Sequence, residues 1–128
     1  MRIMLKSKIH RARVTHADIG YEGSISIDKK LMEAADILPF EQVHVLNINN
    51  GARFETYAIE AEPDSGEIGI KGAAARLASA GDKVIILTYC QVEEAEVRRH
   101  YPTRVYVNEE NAITEVKSAV GTLPLWEK

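Results

Sequence analysis

The stretch QVHVLNINNGARFETYAIE, residues 42–60, contains two strand patterns separated by a turn signal. Apolar and polar residues alternate from Gln42 to Ile48, and the segment from Arg53 to Glu60 is rich in aromatic and β-branched side chains. The Asn50-Gly51 pair between them is a strong hairpin signal, because asparagine and glycine both tolerate positive φ. The stretch therefore predicts two antiparallel strands joined by a turn.

Further strand patterns lie on both sides of this hairpin. They cover Ser24 to Ile27, Lys83 to Val92, Thr103 to Asn108 and Ala112 to Lys117. One helix is expected after the N-cap Asp28, with apolar residues at helical spacing as far as Leu38, and shorter turns are expected near Ala73 and between Val92 and Arg99. Many short strands with few helices predict a mainly β fold, a compact β-barrel.

Composition limits the function classes. A length of 128 residues predicts a single domain, residues 1–128. The 16 basic residues are outnumbered by 19 acidic ones, for a net charge of −3, which disfavours a nucleic-acid partner. The one cysteine fits a reducing compartment, and no apolar run is long enough to cross a membrane. We therefore expect a cytoplasmic protein that acts neither on nucleic acid nor in a membrane.

The Gly23-Ser24 pair can be interpreted in two ways. Glycine and serine are ordinary turn formers, so a polar turn before the strand is one interpretation. The other is a self-cleaving peptide bond, in which the Ser24 hydroxyl attacks the Gly23 carbonyl and converts the amide to an ester. Elimination and hydrolysis would then leave a pyruvoyl group at residue 24. The pair alone does not choose between these interpretations.

The neighbouring motifs favour the second interpretation. Tyr21-Glu22-Gly23-Ser24 lies in order with the motifs Lys8-Ile9-His10-Arg11, Val14-Thr15-His16-Ala17-Asp18, Asn50-Gly51-Ala52-Arg53-Phe54-Glu55-Thr56-Tyr57 and Gly72-Ala73-Ala74-Ala75. With these motifs the chain resembles the pyruvoyl-dependent aspartate 1-decarboxylases over most of its length. The resemblance implies a double-psi β-barrel, cleaved between Gly23 and Ser24 into chains 1–23 and 24–128. It also implies a homotetramer with active sites between subunits, which converts L-aspartate to β-alanine and carbon dioxide for pantothenate synthesis.

The implied chemistry needs an electron sink. Decarboxylation of an α-amino acid leaves a carbanion that no ordinary side chain stabilises, so a cofactor is required. The implied cofactor is the pyruvoyl group made from Ser24, which forms a Schiff base with the substrate amine. No dinucleotide, phosphate-loop or zinc-protease motif competes with it, and the histidines lack zinc-ligand spacing, so we expect no metal.

Candidate binding residues follow from charge and from the resemblance. The planar guanidinium of Arg53 suits a carboxylate, and we expect it to hold the side-chain carboxylate of the substrate, with Lys8 assisting. A solvated arginine with a surface ion pair is the alternative for Arg53. The resemblance assigns Tyr57 as the proton donor and Thr56 to substrate contact and to the acyl shift at Ser24. Adjacent strand residues point to opposite faces, so one of the two would have to act through a bend or its backbone.

The last candidate site residues are the motif at residues 72–75 and the residue before it. The resemblance assigns Gly72, Ala73 and Ala74 to substrate binding at a helix start, although tight barrel packing explains small residues equally well. The family usually carries asparagine before this motif, whereas this chain has Lys71. An ammonium only donates hydrogen bonds, so Lys71 leaves open an unprocessed relative of the decarboxylases. A non-enzymatic double-psi barrel that binds partners is a further alternative.

Overall fold

The computed structural model describes residues 1–118 and is mainly β. The strands are β1 (Arg2–Arg13), β2 (His16–Asp18), β3 (Ser24–Asp28), β4 (Gln42–Asn47), β5 (Arg53–Ala61), β6 (Ile68–Lys71), β7 (Lys83–Val92), β8 (Thr103–Val107) and β9 (Ile113–Lys117). The helices are α1 (Lys29–Ala34) and two 3-10 helices, Gly72–Arg76 and Val97–Arg99. The predicted fold class, mainly β with a few short helices, is confirmed. Residues 119–128 of the predicted domain lie outside the described part.

The strands form one sheet in the order β2-β6-β3-β5-β4-β7-β1-β8-β9. β1 is an inner strand and β2 is an edge strand, yet only Val14 and Thr15 separate them in the chain. The chain from Arg13 to His16 spans at most about 10 Å, so this edge of the sheet must return to β1. The backbone amide of Thr15 donates to the carbonyl of Ile68 in β6 at 2.8 Å, which fixes that return. The sheet is therefore barrel-like.

The core lies on one face of the sheet. Ile9, Ile86, Val45 and Val105 are register neighbours on four different strands, and each is completely buried. Lys8, Leu87, His44 and Glu55 form the adjacent row, whose side chains alternate to the other face. We call this second face, on strands β1, β4, β5, β7 and β8, the outer face.

The predicted hairpin is present with a longer turn. β4 and β5 pair antiparallel as far as Leu46 and Arg53. Gly51 has φ of +76°, whereas Asn50 does not have positive φ. The Asn50 side chain instead accepts a hydrogen bond from the Ala52 amide at 2.8 Å and closes the turn from outside the backbone.

Helix α1 is shorter than its apolar pattern predicts. The Asp28 carboxylate caps it, accepting a hydrogen bond from the Lys30 amide at 2.9 Å. The helix ends at Ala34, because Asp36 takes positive φ (54°) and breaks the helical backbone. Leu38, expected on the buried face, is 66% exposed. Within residues 1–118 no helix is long and apolar enough to cross a membrane.

Candidate active site

The Gly23-Ser24 junction lies where an exposed loop enters the buried strand β3. Residues 19–23 are all exposed, whereas Ser24 is only 4% exposed. At the start of the loop, the Asp18 carboxylate accepts a hydrogen bond from the Gly20 amide at 2.8 Å. The sheet therefore holds Ser24, while the peptide before it faces solvent.

The turn at Gly72 packs against this junction. Ser24 pairs with Lys71 across β3 and β6, and Gly72 follows with φ of +77°. A Cβ added at Gly72 would lie 2.5 Å from the α-carbon of Gly23 and 2.6 Å from its nitrogen. Only glycine allows this approach of the two backbones. Ala73 and Ala74 follow in the 3-10 helix Gly72–Arg76, so the expected helix start is a short turn beside Ser24.

Tyr57 and Thr56 lie on the strand next to Ser24. β3 runs parallel to β5 with Ile25 opposite Ala58, and this register brings Ser24 next to Tyr57. Along β4, Thr56 is opposite the buried Val43 and Tyr57 is opposite the exposed Gln42, with no register shift between them. The two side chains therefore leave opposite faces of β5. The bend that would bring both to one face is not present.

Phe40 is a site neighbour that sequence reasoning missed. Its ring is 76% exposed, and its centroid is 6.2 Å from that of Tyr57. The Phe40 amide donates to the Ala58 carbonyl at 2.7 Å, and Lys6 binds the Glu41 carboxylate at 2.7 Å, so the loop is fixed against β5 and β1. Because this contact joins a loop to a strand, local periodicity carries no signal for it.

Lys71 lies on the same side of the junction as the exposed loop. Its Nζ atom is 5.5 Å from the centroid of the Tyr21 ring, a cation–π arrangement. Tyr21 itself is 64% exposed and lies three residues before Ser24. Lys71 therefore contacts the segment that would be cleaved.

Arg53 and Lys8 lie apart from Ser24 within one chain. Arg53 shares a face of β5 with Tyr57 but stands four residues away, which is ~13 Å along a strand. Lys8 lies on β1, three strand spacings from β5, or ~14 Å. Neither Arg53 nor Lys8 forms a side-chain hydrogen bond or ion pair within residues 1–118. The structure thus brings Gly23, Ser24, Tyr57 and Gly72 together and leaves Arg53 and Lys8 farther along the outer face that Tyr57 shares.

His10 extends the outer face beside Lys8. Its ring is 5.6 Å from that of Tyr106, and its Nδ1 atom is buried without a hydrogen-bond partner in the described chain. Burial lowers the pKa of His10 below its usual value of 6.5, and the charges of Lys8 and Arg11 lower it further. No cluster of three or more histidine, cysteine, aspartate or glutamate side chains suited to a metal ion occurs among residues 1–118.

Comparisons with known proteins identify the family to which this chain is similar. A model of the aspartate decarboxylase family matches residues 1–114. The aspartate 1-decarboxylase of Dehalococcoides mccartyi strain 195 is 58% identical over 119 residues, covering 93% of this chain and 96% of its own. Those of Clostridium acetobutylicum and Chromobacterium violaceum are 58% and 52% identical, covering 88% and 96% of this chain and 89% and 98% of theirs.

Proposed function

Because this chain belongs to the aspartate decarboxylase family, we propose that it removes the α-carboxylate of L-aspartate and forms β-alanine and carbon dioxide. The family resemblance drawn from the sequence motifs is confirmed, and with it the enzyme class. The main structural support for this activity is the packing of Gly72 against the Gly23-Ser24 junction, with Tyr57 on the adjacent strand. The β-alanine formed would be used for pantothenate synthesis. The one cysteine fits a reducing compartment, which we propose is the cytoplasm.

The first step is self-processing at Ser24. Its hydroxyl oxygen attacks the Gly23 carbonyl carbon, the carbon–nitrogen bond breaks, and an ester with a free amine at residue 24 results. Loss of the α-proton then expels the Gly23 carboxylate, and one water replaces ammonia to leave the pyruvoyl group. The tight Gly72 contact supports this role, because it fixes the Gly23 backbone while Ser24 is held in β3. The pyruvoyl group supplies the electron sink for decarboxylation.

Arg53 and Lys8 bind the carboxylate that the substrate keeps. A side chain that binds the departing carboxylate stabilises the ground state more than the transition state. Arg53 and Lys8 therefore assist the reaction only if they bind the carboxylate that remains. Both side chains lack an acidic partner within residues 1–118, although the chain has more acidic than basic residues. Tyr57 then returns a proton to the substrate carbon, since its phenol hydroxyl is a hydrogen-bond and proton donor.

We further propose that active sites form between subunits of a homotetramer. Ser24 and Tyr57 lie away from Arg53 and Lys8 in one chain, so a second copy that presents its outer face would complete the site. Exposed apolar side chains support this arrangement, since such residues are commonly covered in assemblies. They include Ile3 at 72% and Phe40 at 76% exposed.

Intact-protein mass spectrometry tests the processing. The purified protein should contain a fragment of residues 1–23 and a chain from residue 24 that is lighter by one ammonia than a serine-started chain. Ser24→Ala should remain full length, because no hydroxyl is left to attack. A parent that stays full length after prolonged warm incubation would instead favour the unprocessed relative. Processed protein without β-alanine formation from aspartate would favour the non-enzymatic barrel.

Co-expression tests the shared site. Ser24→Ala protein keeps Arg53 but makes no pyruvoyl group, and Arg53→Ala protein makes the group but lacks the clamp. Mixed assemblies should regain part of the parental activity if one site draws on two subunits. Mixtures that are no more active than the separate variants would contradict a site between subunits.

A further inference from the structure

Positive side chains cluster on the part of the outer face formed by β1, β8 and β9. Lys8 is opposite Arg104 in the parallel register of β1 and β8, and Arg104 is opposite Lys117 on β9. Tyr106 anchors the cluster, because it contacts the His10 ring and has the Nζ of Lys117 at 5.2 Å from its centroid. We call the positive side chains Lys8, Arg104 and Lys117, together with the neighbouring His10, the basic cluster.

Arg104 is the member of this cluster that most clearly lacks an acceptor. Its Nε atom is buried and has no hydrogen-bond partner, and its guanidinium forms no ion pair among residues 1–118. Glu115, on the strand next to β8, is opposite Tyr106 and does not pair with Arg104. Elsewhere in the chain buried or half-buried lysines do find carboxylates, as Lys6 does with Glu41. A buried donor without an acceptor is unfavourable, so the cluster is arranged for an anion that residues 1–118 do not supply.

We propose that Arg104 is a second arginine of the substrate site and binds, with Lys8, the carboxylate that the substrate retains. This role rests on the proposed function, because it takes the anion to be the substrate. Arginine suits it, since its fork can contact both oxygens of a carboxylate while Lys8 donates to one of them. Arg53 stands on the same outer face, separated from Lys8 by β7 and β4.

Arg104→Gln tests the proposal, with Arg99→Gln as the matched control. Arg99 is exposed in the 3-10 helix Val97–Arg99 and stands outside the basic cluster. Succinate, a dicarboxylate that cannot react, serves as the binding probe in calorimetry alongside kinetics with aspartate. For Arg104→Gln we expect the KM for aspartate and the Kd for succinate to rise roughly tenfold to hundredfold, with kcat within about threefold of the parent. Arg99→Gln should match the parent.

Thermal stability separates ligand binding from a structural role. Without ligand, Arg104→Gln and Arg104→Leu should unfold at the parental temperature or above it, because each removes a positive charge from beside Lys8 and Lys117 together with an Nε atom that has no partner within residues 1–118. Lower unfolding temperatures with unchanged succinate affinity would mean that Arg104 supports the fold, and would overturn the proposal. An active parent with unchanged KM and Kd in both variants would overturn this role alone. A processed parent that forms no β-alanine would overturn the proposed function and this role together.

Discussion

The backbones of Gly72 and Gly23 are in direct contact, since a Cβ added at Gly72 would lie only 2.5 Å from the Gly23 α-carbon. The two glycines are far apart in the chain and meet because Lys71 and Ser24 pair across β6 and β3. A strand pairing therefore determines the environment of the peptide bond that we propose is cleaved. We therefore propose that Gly72 also acts in processing, beside the substrate binding that the family resemblance implies.

Gly72→Ala should block maturation. The new methyl group would overlap main-chain atoms of Gly23, and the residue would also carry the strain of positive φ, about 1–2 kcal/mol. Gly51→Ala is the control, because Gly51 has nearly the same φ of +76° with no atom within 4 Å of an added Cβ. Timed mass spectrometry should show Gly51→Ala maturing like the parent and Gly72→Ala at least tenfold slower. Equal rates in the two variants would show that the contact is dispensable.

Tyr57→Phe should mature normally and lose most of its β-alanine formation. The ring and its packing on Phe40 remain, while the proton that we assign to Tyr57 is gone. A placed general acid contributes typically ~10²–10⁴-fold to a rate. The pyruvoyl chain is scored by mass and β-alanine by chromatography. A mature Tyr57→Phe protein with parental turnover would make Tyr57 a packing residue.

Thr56→Val should have the opposite pattern, with slowed cleavage at Ser24. Thr56 leaves the face of β5 opposite to Tyr57, so the two side chains are expected to affect different steps. Valine keeps the shape of threonine but removes its hydroxyl. The fraction matured after a fixed incubation, measured by mass spectrometry, checks this. Parental maturation would leave Thr56 without a part in the acyl shift.

Arg53→Ala should process normally and lose aspartate turnover by about tenfold to hundredfold for each hydrogen bond removed. The control is Arg2→Ala, because Arg2 makes an ion pair with Glu94 at 2.9 Å in which both side chains are 60% exposed. Such surface pairs contribute little, so Arg2→Ala should keep the parental kcat/KM. The kcat/KM values of the two variants, measured on fully processed protein, test whether Arg53 binds the substrate carboxylate. An Arg53→Ala value close to the parent would exclude Arg53 as the clamp.

Lys71→Asn should mature several times faster than the parent. Asparagine both donates and accepts hydrogen bonds beside the junction, whereas the Lys71 ammonium only donates and lies over the Tyr21 ring. Lys71→Met removes the charge without adding an amide, and so separates the two effects. Time courses of cleavage are compared among the three proteins. If Met and Asn accelerate cleavage equally, the charge and not the amide controls the rate.

The stability of the protein should fall on mild acidification partly through His10. Its pKa lies below 6.5 in the folded chain because of burial, Lys8 and Arg11, and returns toward 6.5 on unfolding. Below about pH 6.5 the unfolded state therefore binds more protons at this position, so stability decreases as the pH falls toward the folded-state pKa. His10→Gln should show a smaller drop in Tm between pH 7.5 and 5.5. A drop equal to that of the parent would mean that other groups carry the effect.

The sequence by itself determined the short-range features and the family. Alternation in Gln42 to Ile48 and the apolar residues 84–87 within Lys83 to Val92 predicted β4 and β7, and Asp28 predicted the start of α1. These features depend on residues close together in the chain, which is why local patterns report them. The order of the motifs around Ser24, Arg53 and Gly72 identified the aspartate decarboxylases for the same reason, since each motif is a short run of residues.

Only the tertiary structure decided which of these runs meet. The sequence pattern does not predict β1, because basic residues surround the buried residues Ile9 and Ala12 and the apolar alternation of a strand is therefore weak. The parallel pairings of β3 with β5 and of β1 with β8 bring Ser24 to Tyr57 and Lys8 to Arg104. Pairings of this kind depend on packing between distant segments, and the periodicity within either strand holds no information about its neighbour. For that reason the separation of Arg53 from Ser24, and the lack of a partner for the Arg104 Nε atom among residues 1–118, could be seen only in the folded chain.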